Sequence, residues 1–135
     1  MIRTGIVGLS EGNGHPFSFS AIINGYDEGA FAKSGWPIIL EYLNQQPENH
    51  FGINDVSVTH AWTQNKDVTG KLVEACRIEH SCQNIEDMLG EVDAIIIARD
   101  DWETHFELAM PFLEAGASVF IDKPLSLDAT ELQEF

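Results

Sequence analysis

Residues 116–124 read Gly-Ala-Ser-Val-Phe-Ile-Asp-Lys-Pro, and this stretch decides how the rest of the chain is interpreted. The short apolar run Val119–Ile121 predicts a buried strand that ends at Asp122, Lys123 and Pro124. In an open parallel sheet, ligands bind outside the carboxyl ends of the strands. A lysine there, beside a carboxylate and a rigid proline, is placed for chemistry. The alternative is an ordinary surface lysine that follows a strand.

Apolar runs and helical patterns alternate along the remainder of the chain. Further strands are predicted at residues 2–7, 56–62, 79–82 and 94–98. Helices are predicted at residues 17–24, 36–46, 84–89 and 104–115, with others that begin near Asp67 and at Asp128. The strands are apolar without strict alternation, which is typical of a parallel sheet covered on both faces. The sequence therefore predicts one α/β domain with a doubly wound parallel sheet.

Composition excludes several classes of partner. The 135 residues contain 7 Lys and Arg against 22 Asp and Glu, a net charge of −15. Such a surface repels nucleic acids and anionic membranes. No stretch approaches the roughly 20 apolar residues of a membrane span, and the first residues lack the apolar core of a signal peptide. Two cysteines are too few for a disulfide framework, so a reduced, cytoplasmic protein is expected.

A glycine-rich loop, residues 8–16, lies between the first predicted strand and the first predicted helix. That context is the one a dinucleotide site requires, because glycines let the backbone approach a pyrophosphate at a helix N-terminus. Ser10 stands where a second glycine is usual, so the loop alone supports nucleotide binding and a structural turn equally. The candidate contacts in it are Gly8, Ser10, Gly12, Gly14 and His15, of which the histidine also suits a helix cap.

Two further candidates follow the apolar run 94–98. Asp100 lies in an acidic turn and His105 opens the next predicted helix, although both also suit an ordinary helix start. No metal site is predicted, because the other histidines lie far apart and Cys76 and Cys82 fit no zinc spacing. Burial in the core is the expected role of both cysteines.

In order and spacing, these pieces resemble the N-terminal half of the Gfo/Idh/MocA family (glucose–fructose oxidoreductase, inositol dehydrogenase and rhizopine catabolism). The family opens with a strand and a glycine loop that ends in histidine, here residues 5–15. A middle strand leads to a further histidine, here residues 93–98 and His105. Its hallmark is Ala-Gly, a strand and Glu-Lys-Pro-Leu, here residues 115–125 with Asp122 in place of glutamate.

The resemblance implies a Rossmann-type domain that binds NAD or NADP, and hydride transfer at a carbon of a sugar or polyol. Lys123 inherits the active-site role of the family's lysine, and Pro124 shapes its turn. The expected cofactor contacts outside the glycine loop are Thr63, Lys66, Asp100, His105, Asp122 and Pro124. A homo-oligomer is also expected.

Three departures from the family pattern bear on function. The glycine loop is altered, and the helix at residues 36–46 is an insertion. Residues 62–66, after the second strand, contain no acid for the ribose. Lys66 suits the 2′-phosphate of NADP, and it equally suits an ordinary solvated surface position. The family's substrate domain is missing from the sequence. We therefore expect the cofactor half of such an oxidoreductase, inactive alone, or else a non-catalytic module that keeps the fold for binding or assembly.

Overall fold

The structure, a computed structural model, describes residues 1–135. Five parallel strands form the centre of the molecule. The strands are β1 (Ile2–Val7), β2 (Val56–Trp62), β3 (His80–Ser81), β4 (Ala94–Ile97) and β5 (Ser118–Ile121). Their order in the sheet is β3-β2-β1-β4-β5. The chain therefore winds outward from β1 in one direction and then crosses back to build the other half from β4. The predicted doubly wound parallel sheet is confirmed.

Helices cover both faces of this sheet. They are α1 (His15–Asn24), α2 (Glu28–Ala32), α3 (Pro37–Asn44), α4 (Lys66–Ala75), α5 (His105–Glu114) and α6 (Ala129–Glu134). Short 3₁₀ turns lie at Glu48–His50, Ile85–Met88 and Trp102–Thr104. None of the helices has the length and apolar character needed to cross a bilayer.

Alternate residues of the central strands feed two hydrophobic cores. Ile6 of β1 packs with Phe17 of α1 and Leu72 of α4 on one face. Val7, its neighbour in β1, packs with Phe112 of α5 on the other face. This division follows from the two-residue period of a strand, and it explains why the strands are apolar on both sides. Both cysteines are free and buried in these cores, and burial raises the pKa of the Cys76 thiol to about 12.

A helical hairpin made of α2 and α3 lies between α1 and β2 in the chain. Phe31 and Leu43, one from each helix, are fully buried in the same core as α1 and α4. Trp36, in the turn between them, packs against Phe17 with ring centroids 6.1 Å apart. The hairpin thus adds an outer layer over that face, and its turn reaches the N-terminal end of α1.

Helix ends differ in detail from the sequence predictions. α1 begins at His15 rather than residue 17, and α2 was not predicted. Asp128 caps α6 through Thr130 N and Glu131 N, as expected. The Glu131 carboxylate accepts from Ser126 Oγ at 2.8 Å, so it does not close a capping box with the Asp128 backbone.

Candidate functional site

The loops that follow β1, β2, β4 and β5 meet at the carboxyl edge of the sheet. β1 and β4 are neighbours there, and the chain leaves them in opposite directions, which makes this the point where strand order reverses. Such a point is where an open α/β sheet forms a ligand crevice. All the sequence-predicted positions follow these strands: Gly8, Ser10, Gly12, Gly14, His15, Thr63, Lys66, Asp100, His105, Asp122, Lys123 and Pro124.

The glycine loop after β1 presents several backbone N–H groups that donate to no protein acceptor. They belong to Ser10, Glu11, Gly12 and Gly14. Gly12 has a φ of 74°, and a Cβ built there would meet nothing within 4 Å. The loop therefore combines free donors with open space, as an anion site formed by backbone requires.

At Gly8 and Gly14 the absence of a side chain allows close packing. A Cβ on Gly14 would lie 2.3 Å from Ile39 Cδ1 and 2.9 Å from Trp36 Cε3, so the hairpin turn lies directly against the loop. A Cβ on Gly8 would lie 2.8 Å from Pro16 Cγ. These two glycines are needed so that the loop can pack against α1 and α3, whereas Gly12 alone faces open space.

Asp122, at the end of β5, joins the glycine loop to the lysine turn. Its Oδ2 accepts from Asn13 Nδ2 at 3.0 Å and lies 2.5 Å from His15 Nδ1. Its Oδ1 accepts from Lys123 N at 3.1 Å. The carboxylate is buried, with 6% of the residue exposed. The His15 ring is half-exposed and stacks on Phe19 with centroids 4.6 Å apart.

The electrostatics of Asp122 follow from these contacts. Burial by itself would raise the pKa of its carboxyl, since desolvation disfavours the charged form. The hydrogen bonds from Asn13, His15 and the Lys123 N–H, with the charge of His15, outweigh burial and hold the pKa below its usual range. Asp122 is therefore a stable anion at neutral pH and does not act as an acid.

Stability should depend on this carboxylate in a specific pH window. A group whose pKa is lower in the folded state adds stability above its unfolded pKa of about 4, and the stability is lost as pH falls through the folded pKa. We expect the loss of unfolding free energy caused by Asp122→Asn to be largest at pH 7 and to shrink toward pH 3. Urea denaturation at several pH values measures it.

Glu103→Gln is the matched control for that comparison. Glu103 is exposed and makes no hydrogen bond or ion pair, so its substitution reports only the removal of one charge from an acidic chain. A penalty for Asp122→Asn that stays constant from pH 7 to pH 3 would contradict the prediction.

Lys123 supplies a free cation at this edge. Its side chain is exposed and its ammonium group makes no hydrogen bond or salt bridge. The Lys123–Pro124 peptide bond is cis. Asp122 contacts the glycine loop through Asn13 and His15, so the turn that carries this unpaired lysine lies next to the loop.

Comparison with known protein families shows which family the sequence matches. A family model described as "Oxidoreductase family, NAD-binding Rossmann fold" matches residues 2–135, nearly the whole chain. The chain belongs to the Gfo/Idh/MocA family. No curated protein sequence is significantly similar to it.

Solved structures show the Gfo/Idh/MocA fold at low sequence identity. UDP-N-acetylglucosamine 3-dehydrogenase GnnA from Acidithiobacillus ferrooxidans is 22% identical with a TM-score of 0.63, over 98% of this chain and 32% of that chain. Myo-inositol 2-dehydrogenase from Lactobacillus plantarum is 22% identical with a TM-score of 0.64, over 98% and 31%. Scyllo-inositol dehydrogenase from Lactobacillus casei, solved with NAD(H) and scyllo-inositol, is 19% identical with a TM-score of 0.65, over 99% and 31%.

This chain thus spans about a third of the length of those dehydrogenases. At such identities the likeness establishes the fold alone. The match to the family model and the five-stranded sheet together identify the chain as an NAD-binding Rossmann domain of the Gfo/Idh/MocA oxidoreductase family.

Two of the residues expected to contact the cofactor are buried and hydrogen-bonded within the protein. His105 is fully buried, with Nε2 2.5 Å from Arg99 O and Nδ1 3.1 Å from Leu125 O. Its ring joins the β4 loop to the turn after β5 and leaves no free nitrogen, which favours the structural interpretation. Thr63 is likewise buried, and its hydroxyl donates to Asn65 O at 2.7 Å.

Gln64, Asn13 and Arg99 contribute to the site but were not predicted. Gln64 holds the glycine loop at Leu9, with Oε1 2.6 Å from Leu9 N and Nε2 2.5 Å from Leu9 O. Arg99 is buried and pairs with Asp101. The available signal was positional, because Gln64 and Arg99 follow strand ends and Asn13 lies between two glycines.

The charge of the crevice is mixed. Ser10 Oγ donates to Asp100 Oδ1 at 2.8 Å and accepts from Asp100 N at 3.1 Å, so a carboxylate lies beside the loop, which also contains Glu11. Lys66 and Lys123 are exposed cations without partners. The net charge around the loop does not attract phosphate. The fit to a dinucleotide therefore rests on the directed backbone N–H donors of the loop.

Proposed function

We propose that this domain binds NAD or NADP at the glycine loop and forms the cofactor half of a dehydrogenase for a sugar or polyol. The observation that supports this most is the set of unpartnered N–H groups of Ser10, Glu11, Gly12 and Gly14, at the same edge of the sheet as the exposed, unpaired Lys123. A bound nicotinamide would supply the hydride acceptor for oxidation of a hydroxyl-bearing carbon. The structural neighbours with names that specify a substrate are dehydrogenases of a UDP-sugar and of inositols.

The residues of this chain divide into three roles under this proposal. The N–H groups of the loop hold the pyrophosphate, which fixes the cofactor across the crevice. The ammonium group of Lys123 lies near the substrate hydroxyl, where a positive charge stabilises the developing negative charge on oxygen. Asp122 and Pro124 shape the turn that presents it. Lys123 is thus the proposed catalytic residue.

The end of β2 bears on the choice between the two cofactors. A carboxylate there accepts hydrogen bonds from the adenine ribose of NAD and repels the 2′-phosphate of NADP. Residues 62–66 contain no carboxylate, and the first acid, Asp67, lies in the first turn of α4. Lys66 is exposed and unpaired. This arrangement supports acceptance of NADP as well as NAD.

One observation favours a second function, a non-catalytic module that keeps the fold for binding or assembly. Asp100 and Glu11 place carboxylates at the loop where the pyrophosphate would lie, and Ser10, which replaces a glycine, is bonded to Asp100. Under this alternative the hydrogen bonds within the protein are enough to stabilise the loop, and the loop binds no cofactor. A homo-oligomer and a cytoplasmic location stay expectations from the sequence.

Calorimetric titration of the 135-residue chain with NADH and with NADPH separates the two functions. We expect saturable binding of at least one of them, with a comparable affinity for NADPH because no acid opposes its 2′-phosphate. Absence of heat with both cofactors at millimolar concentration, from a chain with the circular dichroism of a folded α/β domain, would favour the non-catalytic module.

A further inference from the structure

We propose that Asp122 is a positioning residue that couples the conformation of the glycine loop to the placement of Lys123. The catalytic value of this coupling rests on the proposed function, but the coupling itself is a property of the chain without a cofactor. The carboxylate touches neither the ammonium group of Lys123 nor the free N–H groups of the loop. It acts through Asn13 and His15 on one side and the Lys123 backbone on the other.

The two oxygens of Asp122 are divided between these two sides. Oδ2 accepts both Asn13 Nδ2 and His15 Nδ1, which lie 109 and 107 residues away in sequence. Oδ1 accepts the N–H of Lys123, the next residue. A hydrogen bond between adjacent residues does not by itself fix a conformation when the side chain is free to rotate. Here the distant donors hold Oδ2, and this determines where Oδ1 lies.

Asn13 connects the same contacts to the start of α1. Its Oδ1 accepts the N–H of His15 at 2.9 Å, while its Nδ2 donates to Asp122. Asn13, His15 and Asp122 thus form a closed ring of hydrogen bonds at the N-terminal end of α1. Asn13 is also flanked by Gly12 and Gly14, whose N–H groups are the proposed pyrophosphate donors. A shift of the loop therefore moves a donor to Asp122.

Burial makes this ring stiff. A buried carboxylate that loses a donor must find water or another donor, because an unpaired buried charge is costly. Asn13 and Asp122 are both buried. If the loop moves Asn13 or His15, the carboxylate must rotate to recover its hydrogen bonds, and the Lys123 N–H loses its acceptor. Linkage makes the effect reciprocal, so the position of Lys123 also biases the loop.

The test uses amide hydrogen exchange of the ¹⁵N-labelled chain without any cofactor. Asn13→Ala and His15→Phe each remove one distant donor. We expect the Lys123 amide to exchange about tenfold faster in both, as loss of a charge-assisted hydrogen bond predicts. His15→Gln keeps an N–H donor and should restore part of the protection.

Ser10→Ala is the matched control, since Ser10 lies in the same loop but bonds Asp100 rather than Asp122. It should leave Lys123 exchange within about twofold of the wild type, the change expected for a site that shares no partner with Asp122. The amides of Ile97 and Phe112, in the core, report any general loss of stability. An unchanged Lys123 amide in Asn13→Ala and His15→Phe, or acceleration only in step with the core amides, would overturn the proposal. Neither result depends on whether NADH binds.

Discussion

Replacing Phe17 by alanine is expected to lower the free energy of unfolding by about 3–5 kcal/mol, the range for truncating a buried phenylalanine. Phe17 is 1% exposed and lies where α1, the sheet and the hairpin meet. Its ring centroid is 5.8 Å from that of Phe31 and 6.1 Å from that of Trp36. Its removal leaves a cavity that no neighbouring element can fill without moving. Urea denaturation followed by circular dichroism measures the loss.

Phe120→Ala is the matched control for this prediction. The chemical change is the same, but Phe120 is 56% exposed on β5 and makes an edge-on contact with Phe19 at 6.2 Å. We expect a loss of less than about 1.5 kcal/mol, consistent with one aromatic pair and little burial. Equal losses for the two variants would show that Phe17 is not central to the core.

Gly12→Val is expected to weaken NADH binding at least about tenfold while the domain stays folded. A β-branched residue at a φ of 74° is strained by about 1–2 kcal/mol. Its side chain would project into the open space of the loop, where the pyrophosphate is proposed to lie. Calorimetric titration of the variant with NADH measures the affinity, and urea denaturation measures the strain.

Gly90→Val isolates the backbone strain from the binding effect. Gly90 has a φ of 80° and no neighbour within 4 Å of a Cβ, so it matches Gly12 in both respects. It precedes β4 and therefore lies at the opposite edge of the sheet from the glycine loop. Normal affinity in Gly12→Val, or an equal loss of affinity in both variants, would count against the loop as the binding site.

Local pattern was enough to predict the strands and the long helices. Ala94–Ile97 is a continuous apolar run, and a strand buried on both faces needs such a run. α2 was missed because it has five residues, of which only Phe31 is buried. So short a helix is not stable from its own sequence, and the packing of Phe31 against Phe17 and Tyr26 holds it in place.

The site shows the same division between local and distant information. Residues 116–124 by themselves predicted a strand with a lysine and a carboxylate at its carboxyl end, and the glycine loop predicted a tight connection into a helix. These are properties of a few adjacent residues. That Asp122 binds Asn13 and His15 depends on β1 and β5 flanking the same strand, β4. No local sequence pattern indicates that these residues, far apart in the chain, are in contact.

The sequence alone determined the class of fold, the family and the edge of the sheet at which the candidate residues lie, because strand period and motif order are local. Only the tertiary structure decided which candidates are free to bind. It buried His105 between two backbone carbonyls and left the N–H groups of Gly12 and Gly14 without partners. The physical reason is that a polar group's role depends on which partners satisfy it, and those partners come from distant parts of the chain.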